Sequence, residues 1–197
     1  MSEKYKENNT DKRVVRTKKA IKTALFKLME QKDISTISVS ELAKTANVNR
    51  RTFYTHYKNI TDILDEIEEE LVTALSGLVS KFDTHDYKTS TYNVFMGLND
   101  LITVEFEYYF HLIRVDMRGV LMTRLKAVIK ASTDRLLKDI GGKYGQGFTM
   151  LSAFIVGGFF NTYLEWHNNP GNMTPERAAE LTSSIVAMCI QQAREGK

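Results

Sequence analysis

The residues with the clearest potential for chemistry lie in a basic and aromatic stretch between positions 50 and 58. An arginine side chain presents a planar fork of donors that fits guanine edges and phosphate oxygens. Tyrosine and threonine hydroxyls donate to phosphates, and a threonine methyl can meet the methyl group of thymine. We therefore expect contact with double-stranded DNA from Arg50, Arg51, Thr52, Tyr54, Thr55, His56, Tyr57 and Lys58.

Two short helices and a tight turn would position these side chains. The stretch from Ser38 to Glu41 matches a capping box, in which Ser38 accepts from the amide three residues on and Glu41 reaches back to the amide of Ser38. Asn47 suits the turn because asparagine tolerates the left-handed backbone conformation, and Asn49 can cap a helix that begins at Arg50. Together they predict a helix-turn-helix, whose second helix enters the major groove.

The rest of the chain is predicted to be helical as well. Apolar residues recur at helical spacing over residues 12–31, and with the two short helices this makes the N-terminal domain a three-helix helix-turn-helix. A fourth helix is expected over residues 61–80, where apolar residues recur at the same spacing. Further helices are expected over residues 89–101, 117–138, 144–167 and 175–194. Residues 102–113 alternate like a strand and are assigned as helix from their surroundings. The predicted fold class is all-α, with a C-terminal helical domain for ligand binding and dimerisation.

Charge divides unevenly along the chain. Residues 1–58 carry 14 Lys+Arg and 6 Asp+Glu, a net charge of +8, whereas residues 59–197 carry 13 and 18, a net charge of −5. A phosphate-binding module fused to an acidic body would have this pattern, and so would a solvated lysine-rich tail. We place a DNA-binding domain at residues 1–58 and a regulatory and dimerisation domain at residues 59–197.

Residues 37–59 resemble the TetR family of one-component regulators. The most specific part is Thr-Phe-Tyr-x-His-Tyr-Lys-Asn, which starts at Thr52, and the detailed resemblance covers roughly residues 12–80. By position, it implies that Arg50 and Arg51 read bases or grip phosphates and that Tyr54 and His56 face phosphates.

The resemblance also places Ser38 and Ser40 where the preceding helix approaches the DNA backbone. Ile60 stands where the family often has a phosphate-binding lysine, and Lys58 is the proposed substitute. Phe53 is expected in the core, whereas Tyr57 fits the core and a phosphate contact equally well.

The C-terminal half contains a helix that is apolar on nearly all sides, residues 148–160. Such a helix must be buried by its own domain or by a partner. Together with the last helix it suggests a four-helix interface across a two-fold axis, as the resemblance also implies, and an ordinary intramolecular core is the alternative. The homodimer interface is predicted at Ile155, Phe159, Leu181, Ile185 and Met188.

The middle region is rich in aromatic residues, and the resemblance implies an inducer pocket there. Its predicted polar groups are Glu107, His111, Arg114 and Asn161. The function predicted is a sequence-specific regulator, in the first instance a repressor, that binds a palindromic operator and is released by a small, mostly apolar ligand. The alternative is a DNA-binding scaffold that acts through a protein partner without a small-molecule inducer.

Other classes find no support in the sequence. There is no phosphate-binding loop, nucleophile elbow, paired-histidine motif or redox cysteine pair, so we expect no enzyme, cofactor or metal. The single cysteine, Cys189, excludes an intrachain disulfide. The polar start of the chain is unlike a signal peptide, and the longest apolar run is shorter than the roughly 20 residues of a membrane span. A cytoplasmic protein without membrane contact is expected.

Overall fold

The structure, a computed structural model, describes residues 3–105, 120–139 and 146–195. Over these ranges the chain is all-α, as the sequence predicts. Its eight α-helices are α1 (Glu3–Met29), α2 (Val39–Thr45), α3 (Arg50–His56), α4 (Ile60–Val79), α5 (Tyr87–Asp100), α6 (Val120–Asp139), α7 (Gln146–Asn168) and α8 (Pro175–Glu195).

The segment with strand-like alternation begins as a helix where it is described. A π-helical stretch, Leu101–Glu105, directly continues α5. The hydroxyl of Thr103 donates to the carbonyl of Asn99 at 2.7 Å, so a side chain supports the backbone of this stretch. The remainder of the segment lies outside the described residues.

The chain divides into two compact units, Met1–Glu68 and Glu69–Lys197. The division falls inside α4, later than the boundary at residue 58 that charge and motif suggested. Because α4 is one helix from Ile60 to Val79, it contributes residues to the cores of both units.

The core of the N-terminal unit is built from one apolar face of each helix. α1 packs against α2, and α2 against α3. Burying such faces is the main stabilising contribution to a domain of this size. The fully buried side chains at its centre are Ile21, Leu25, Leu42, Phe53, Ile63 and Ile67.

The predicted caps and turn set the angle between α2 and α3. The Ser38 hydroxyl accepts from the amide of Glu41 at 3.2 Å, and the Asn49 side chain accepts from the amide of Thr52 at 2.7 Å. Asn47 adopts a positive φ of 54°, a conformation that asparagine tolerates. α3 therefore begins at Arg50, as predicted.

The C-terminal unit is a bundle in which α5 packs on α8, α6 on α7, and α7 on α8. One buried cluster joins Leu136, Ile155, Val186 and Ile190. In α8, Thr174 accepts from the amide of Arg177 just ahead of the proline that opens the helix. None of the helices in the described ranges is both long enough and apolar enough to cross a membrane.

Candidate nucleic-acid interface

α3 has one buried face and one exposed face. Phe53 is fully buried, with the Tyr54 ring 5.4 Å from its own, so the backbone of α3 is fixed from beneath. The side chains left exposed are those of Arg50, Arg51, Tyr54 and Thr55, and those of Thr52 and His56 are half-buried. Two guanidinium groups and a phenol thus point to solvent from a helix that is held rigidly.

The two threonines of α3 already use their hydroxyl protons within the protein. The Thr52 hydroxyl donates to the Asn49 side chain at 3.0 Å, and the Thr55 hydroxyl donates to the carbonyl of Arg51 at 2.9 Å. Their hydroxyl oxygens and methyl groups remain available, and these suit acceptance of a hydrogen bond or contact with thymine.

Residues on either side of α3 extend the exposed surface. Ser38 and Ser40 are exposed at the start of α2, and Lys58 is exposed just after α3. The amide of Lys58 donates to the Asp62 carboxylate at 2.8 Å, which fixes its backbone while its ammonium group stays in solvent. Lys58 can therefore supply the positive charge of the phosphate-binding lysine that the family often has where this chain has Ile60.

Tyr57 belongs to the core, not to the exposed surface. It is only 3% exposed, its ring lies 6.0 Å from that of Phe53, and its hydroxyl donates to Glu66 at 3.2 Å. Of the two interpretations that the sequence left open, the structure supports burial. A phosphate would have to displace this hydrogen bond to reach the hydroxyl.

The carboxylate of Glu66 accepts the hydrogen bond from Tyr57 and also forms ion pairs with two lysines. The ammonium of Lys18 lies 2.5 Å from Oε2, and that of Lys22 lies 2.7 Å from Oε1. Burial alone would raise the pKa of Glu66, but hydrogen bonds and charge from the two lysines outweigh it, so the pKa is lowered. The sequence placed both lysines away from the apolar stripe of α1, and nothing local indicated a partner in α4.

A second feature missed by sequence reasoning is a basic groove between α1 and the end of α2. We use that name for a groove of about 420 Å³ with Arg16, Lys19 and Lys27 along it. All three cations are exposed, and no carboxylate with a described side chain pairs with them. Its other lining residues are Ala20, Thr23, Ala24, Thr45 and Ala46. Arg16 and Lys19 stand three residues apart in α1 and Lys27 follows Arg16 by eleven, about three helical turns, and this placement on one side of the helix was the available signal.

The described part of the chain offers few groups for another kind of site, such as a metal site. There, no three His, Cys, Asp or Glu side chains come together in a way that could hold a metal ion. The exposed groups of α3 and of the basic groove include donors and cations, which suit a polyanion.

Comparison with known proteins identifies this arrangement. Residues 21–67, which span the end of α1 through the first part of α4, match the family model described as bacterial regulatory proteins, tetR family. The N-terminal unit is therefore similar to the tetR family over these residues.

Two relatives extend the comparison. An uncharacterized HTH-type transcriptional regulator, YxbF of Bacillus subtilis (strain 168), is 38% identical over 63 residues. That match covers 32% of this chain and only 17% of the relative. A transcriptional regulator from Rhodococcus sp. Rha1 has a similar fold, with a TM-score of 0.65 at 17% identity over 90% of this chain and 97% of that one.

A further solved structure is less similar. The TetR family repressor AlkX from Dietzia sp. strain DQ12-45-1b, described as implicated in biodegradation of n-alkanes, has a TM-score of 0.48. It is 16% identical to this chain and covers 88% of it and 97% of its own length.

The C-terminal unit contains a cavity of about 40 Å³. None of the described residues that line it is charged. The hydroxyls of Thr91 and Thr133 donate to the carbonyls of Tyr87 and Ile129. The lining residues are Val79, Phe82, Thr91, Val94, Ile129, Ser132, Thr133, Leu136, Ile155, Phe159, Val186 and Ile190.

Two predicted interface residues belong to this cavity. Ile155 and Phe159 are 6% and 4% exposed and line the cavity from α7, so they are buried within one protomer. Their assignment to the dimer interface was wrong. The periodicity of α7 could not settle the matter, because the helix is apolar on almost every side and its direction depends on packing.

A different side of α7 and one stripe of α8 carry large exposed apolar side chains, which together we call the exposed apolar face. We define this face by Met150 and Phe154, which are 75% and 64% exposed, together with Leu181, Ile185 and Met188. The last three were predicted for the interface and are all exposed in the protomer. Large apolar side chains grouped on a surface mark contact sites.

Asn161 also lies on the outer side of α7. It is exposed, and it follows Phe154 by seven residues, which brings it to the same side of the helix. It was predicted as a polar group of the pocket, and it is not among the residues that line the cavity. The other predicted pocket residues, Glu107, His111 and Arg114, lie outside the described residues.

Proposed function

We propose that this protein is a homodimeric transcriptional regulator that reads double-stranded DNA through α3. The observation that carries this proposal is the two-sided character of α3, with Phe53 buried beneath and Arg50, Arg51 and Tyr54 exposed above. A short basic helix held rigidly after a tight turn is the form that a recognition helix takes.

In this proposal the arginines read bases and the neighbouring groups hold the backbone. Arg50 and Arg51 stand in the first turn of α3, the part of a recognition helix that goes deepest into the major groove. Ser38, Ser40 and Tyr54, with Lys58, bind phosphates and fix the register. Phosphate contacts position a protein on DNA, whereas contacts to base edges provide the sequence information.

Dimerisation follows from the exposed apolar face. Phe154 and Met188, each more than half exposed in one protomer, would lose this exposure against a second copy. A two-fold arrangement presents two equivalent α3 helices, so the operator would be a palindrome.

A ligand response is assigned to the cavity of the C-terminal unit. Because the described residues that line it are all uncharged, the ligand we propose is small, uncharged and mostly apolar, with the hydroxyl of Ser132 as a polar contact. The cavity is far below the roughly 300 Å³ of a typical ligand site, so binding must widen it. α4 extends from the end of α3 to Val79 at the cavity, so widening can alter how α3 is presented. The protein would then act as a repressor that the ligand releases.

Selection of bound duplexes from a random DNA pool tests this proposal. The expected result is one palindromic sequence, with half-sites about one helical turn, roughly 34 Å, or a multiple apart. Recovery of many unrelated sequences would instead favour a DNA-binding scaffold that acts through a protein partner. Recovery of no duplex above background would contradict DNA recognition.

A further inference from the structure

Glu66 connects three helices of the N-terminal unit through one carboxylate. Its two oxygens receive Lys18 and Lys22 from α1, and they also accept a hydrogen bond from Tyr57, the residue that ends α3. Glu66 itself lies in the second turn of α4. All the groups involved belong to the same compact unit.

Burial makes this arrangement rigid. Lys22 is only 5% exposed, and a buried ammonium group is very costly unless an opposite charge stays beside it. If the carboxylate turned away to solvent, this buried ammonium group would lose its ion pair with Glu66. Lys18 holds the second oxygen and also lies 5.4 Å from the centre of the Tyr57 ring.

Tyr57 transmits this rigidity to the recognition helix. α3 has only seven residues, so an anchor at its end affects the direction of the whole helix. The Tyr57 ring packs on Phe53, the single fully buried side chain of α3, while the hydroxyl is held by Glu66.

We propose that Glu66 is the positioning residue of the recognition helix: its carboxylate holds the end of α3 against α1 and α4 and thereby sets how α3 meets DNA. The proposal rests on the proposed DNA-binding function and adds a residue outside the DNA-facing surface. Glu66 itself would touch no base and no phosphate.

The loss of a negative charge and the loss of a positioning contact predict opposite effects of Glu66→Gln on DNA binding, and this difference is the test. Removal of a negative charge from a DNA-binding protein strengthens attraction to phosphates. Asp65→Asn makes the same charge change one residue earlier, at an exposed site, and is the matched control. The probes are a duplex recovered by selection with the wild-type protein and a scrambled duplex of the same length.

For Glu66→Gln we expect the Kd ratio of the scrambled to the selected duplex to fall about tenfold, as for a coupled contact. Asp65→Asn should keep the wild-type ratio, and Glu66→Asp should recover part of the loss. Each Kd is corrected for the folded fraction measured by circular dichroism. A wild-type ratio in Glu66→Gln, with only a lower Tm, would show a purely structural role and overturn the proposal.

A second variant protects the test against loss of folding. Tyr57→Phe removes one hydroxyl and keeps the ring that packs on Phe53. If Glu66→Gln does not fold, Tyr57→Phe decides: a reduced ratio supports the proposal, and an unchanged ratio contradicts it. Failure of the wild-type protein to discriminate between the two duplexes would be a failure of the proposed function, so the two results are distinguishable.

Discussion

Phe154 and Ile155 are neighbours in α7 and point in directions about 100° apart around its axis. Phe154 is 64% exposed on the apolar face, whereas Ile155 lines the cavity inside the protomer. One helix therefore serves both proposed functions of the C-terminal unit, association on one side and ligand binding on another.

Phe154→Glu should prevent dimerisation and leave the protomer folded. The side chain is exposed in one protomer, so the substitution costs the monomer little, but a dimer would have to bury an unpaired carboxylate. We expect the dimer Kd to rise at least about a hundredfold, measured by sedimentation equilibrium. Lys88→Glu, at another exposed position, is the control and should remain dimeric. Equal association by Phe154→Glu and the wild-type protein would remove the apolar face from the interface.

Asn161→Trp should act on the same interface. Because Asn161 lies on the outer side of α7, a larger side chain there is expected to change the dimer Kd without affecting ligand binding. The measurements are sedimentation and the ligand-induced shift in Tm. An unchanged dimer Kd together with loss of the ligand response would indicate that Asn161 lines the ligand pocket.

Ser132→Leu should fill the cavity and abolish the response to an uncharged ligand. In the wild-type protein, 1-hexanol should raise the Tm and weaken DNA binding together, and hexanoate should do neither, because the lining residues that the structure describes are uncharged. Overpacking should cost the variant about 1–3 kcal/mol of stability. The control is Ser76→Leu, at an exposed serine of α4. Equal Tm shifts by 1-hexanol in Ser132→Leu and the wild type would place the ligand elsewhere.

The helices and the recognition surface were largely predictable from sequence, because local signals determine them. Ser38 and Asn49 cap the helices that their side chains predicted, and Asn47 takes the positive φ that the turn requires. Such signals need only a few neighbouring residues. The exposed positions of Arg50, Arg51 and Tyr54 follow once Phe53 is known to point inward.

Long-range packing was not predictable in the same way. Lys22 lies within α1 and, taken alone, suggested a solvated charge; its burial depends on Glu66, far along the chain in α4. The orientation of α7 likewise depends on its neighbours, since an all-round apolar helix gives no preferred side. This is why the sides of α7 on which Ile155, Phe159 and Asn161 lie could not be predicted.

If the basic groove contacts DNA, alanine substitutions in it should change how DNA affinity depends on salt concentration. If Lys19 and Lys27 bind phosphates beside the operator, each change to alanine should reduce the slope of log K against log salt concentration by about 0.9. The loss should be the same for selected and scrambled duplexes, since phosphates carry no sequence information. Lys88→Ala, in the other unit, should keep the wild-type slope. If all three variants share the wild-type slope, the groove does not contact DNA.

Lowering the pH should reduce the contribution of Glu66 to the free energy of unfolding. Its pKa in the folded protein is lowered from the ordinary value of 4.5, since hydrogen bonds from Lys18 and Lys22 outweigh the effect of burial. A carboxyl group with a lowered pKa stabilises the fold above its unfolded pKa and loses that contribution as the pH falls through the folded value. The difference in Tm between the wild type and Glu66→Gln should therefore be constant near neutral pH and shrink below about pH 4.5. A difference independent of pH down to 3 would show that the ion pairs add nothing.

The most direct test of recognition by α3 is the affinity of Arg50→Ala and Arg51→Ala for the selected and the scrambled duplex. If the arginines read bases, each change should cost about 1–3 kcal/mol on the selected duplex and much less on the scrambled one. Lys44→Ala, at an exposed position of α2, is the control for loss of one positive charge. Equal losses on both duplexes would reduce the arginines to phosphate contacts. Full binding of the selected duplex by the double variant Arg50→Ala/Arg51→Ala would contradict the assignment of α3 as the recognition helix.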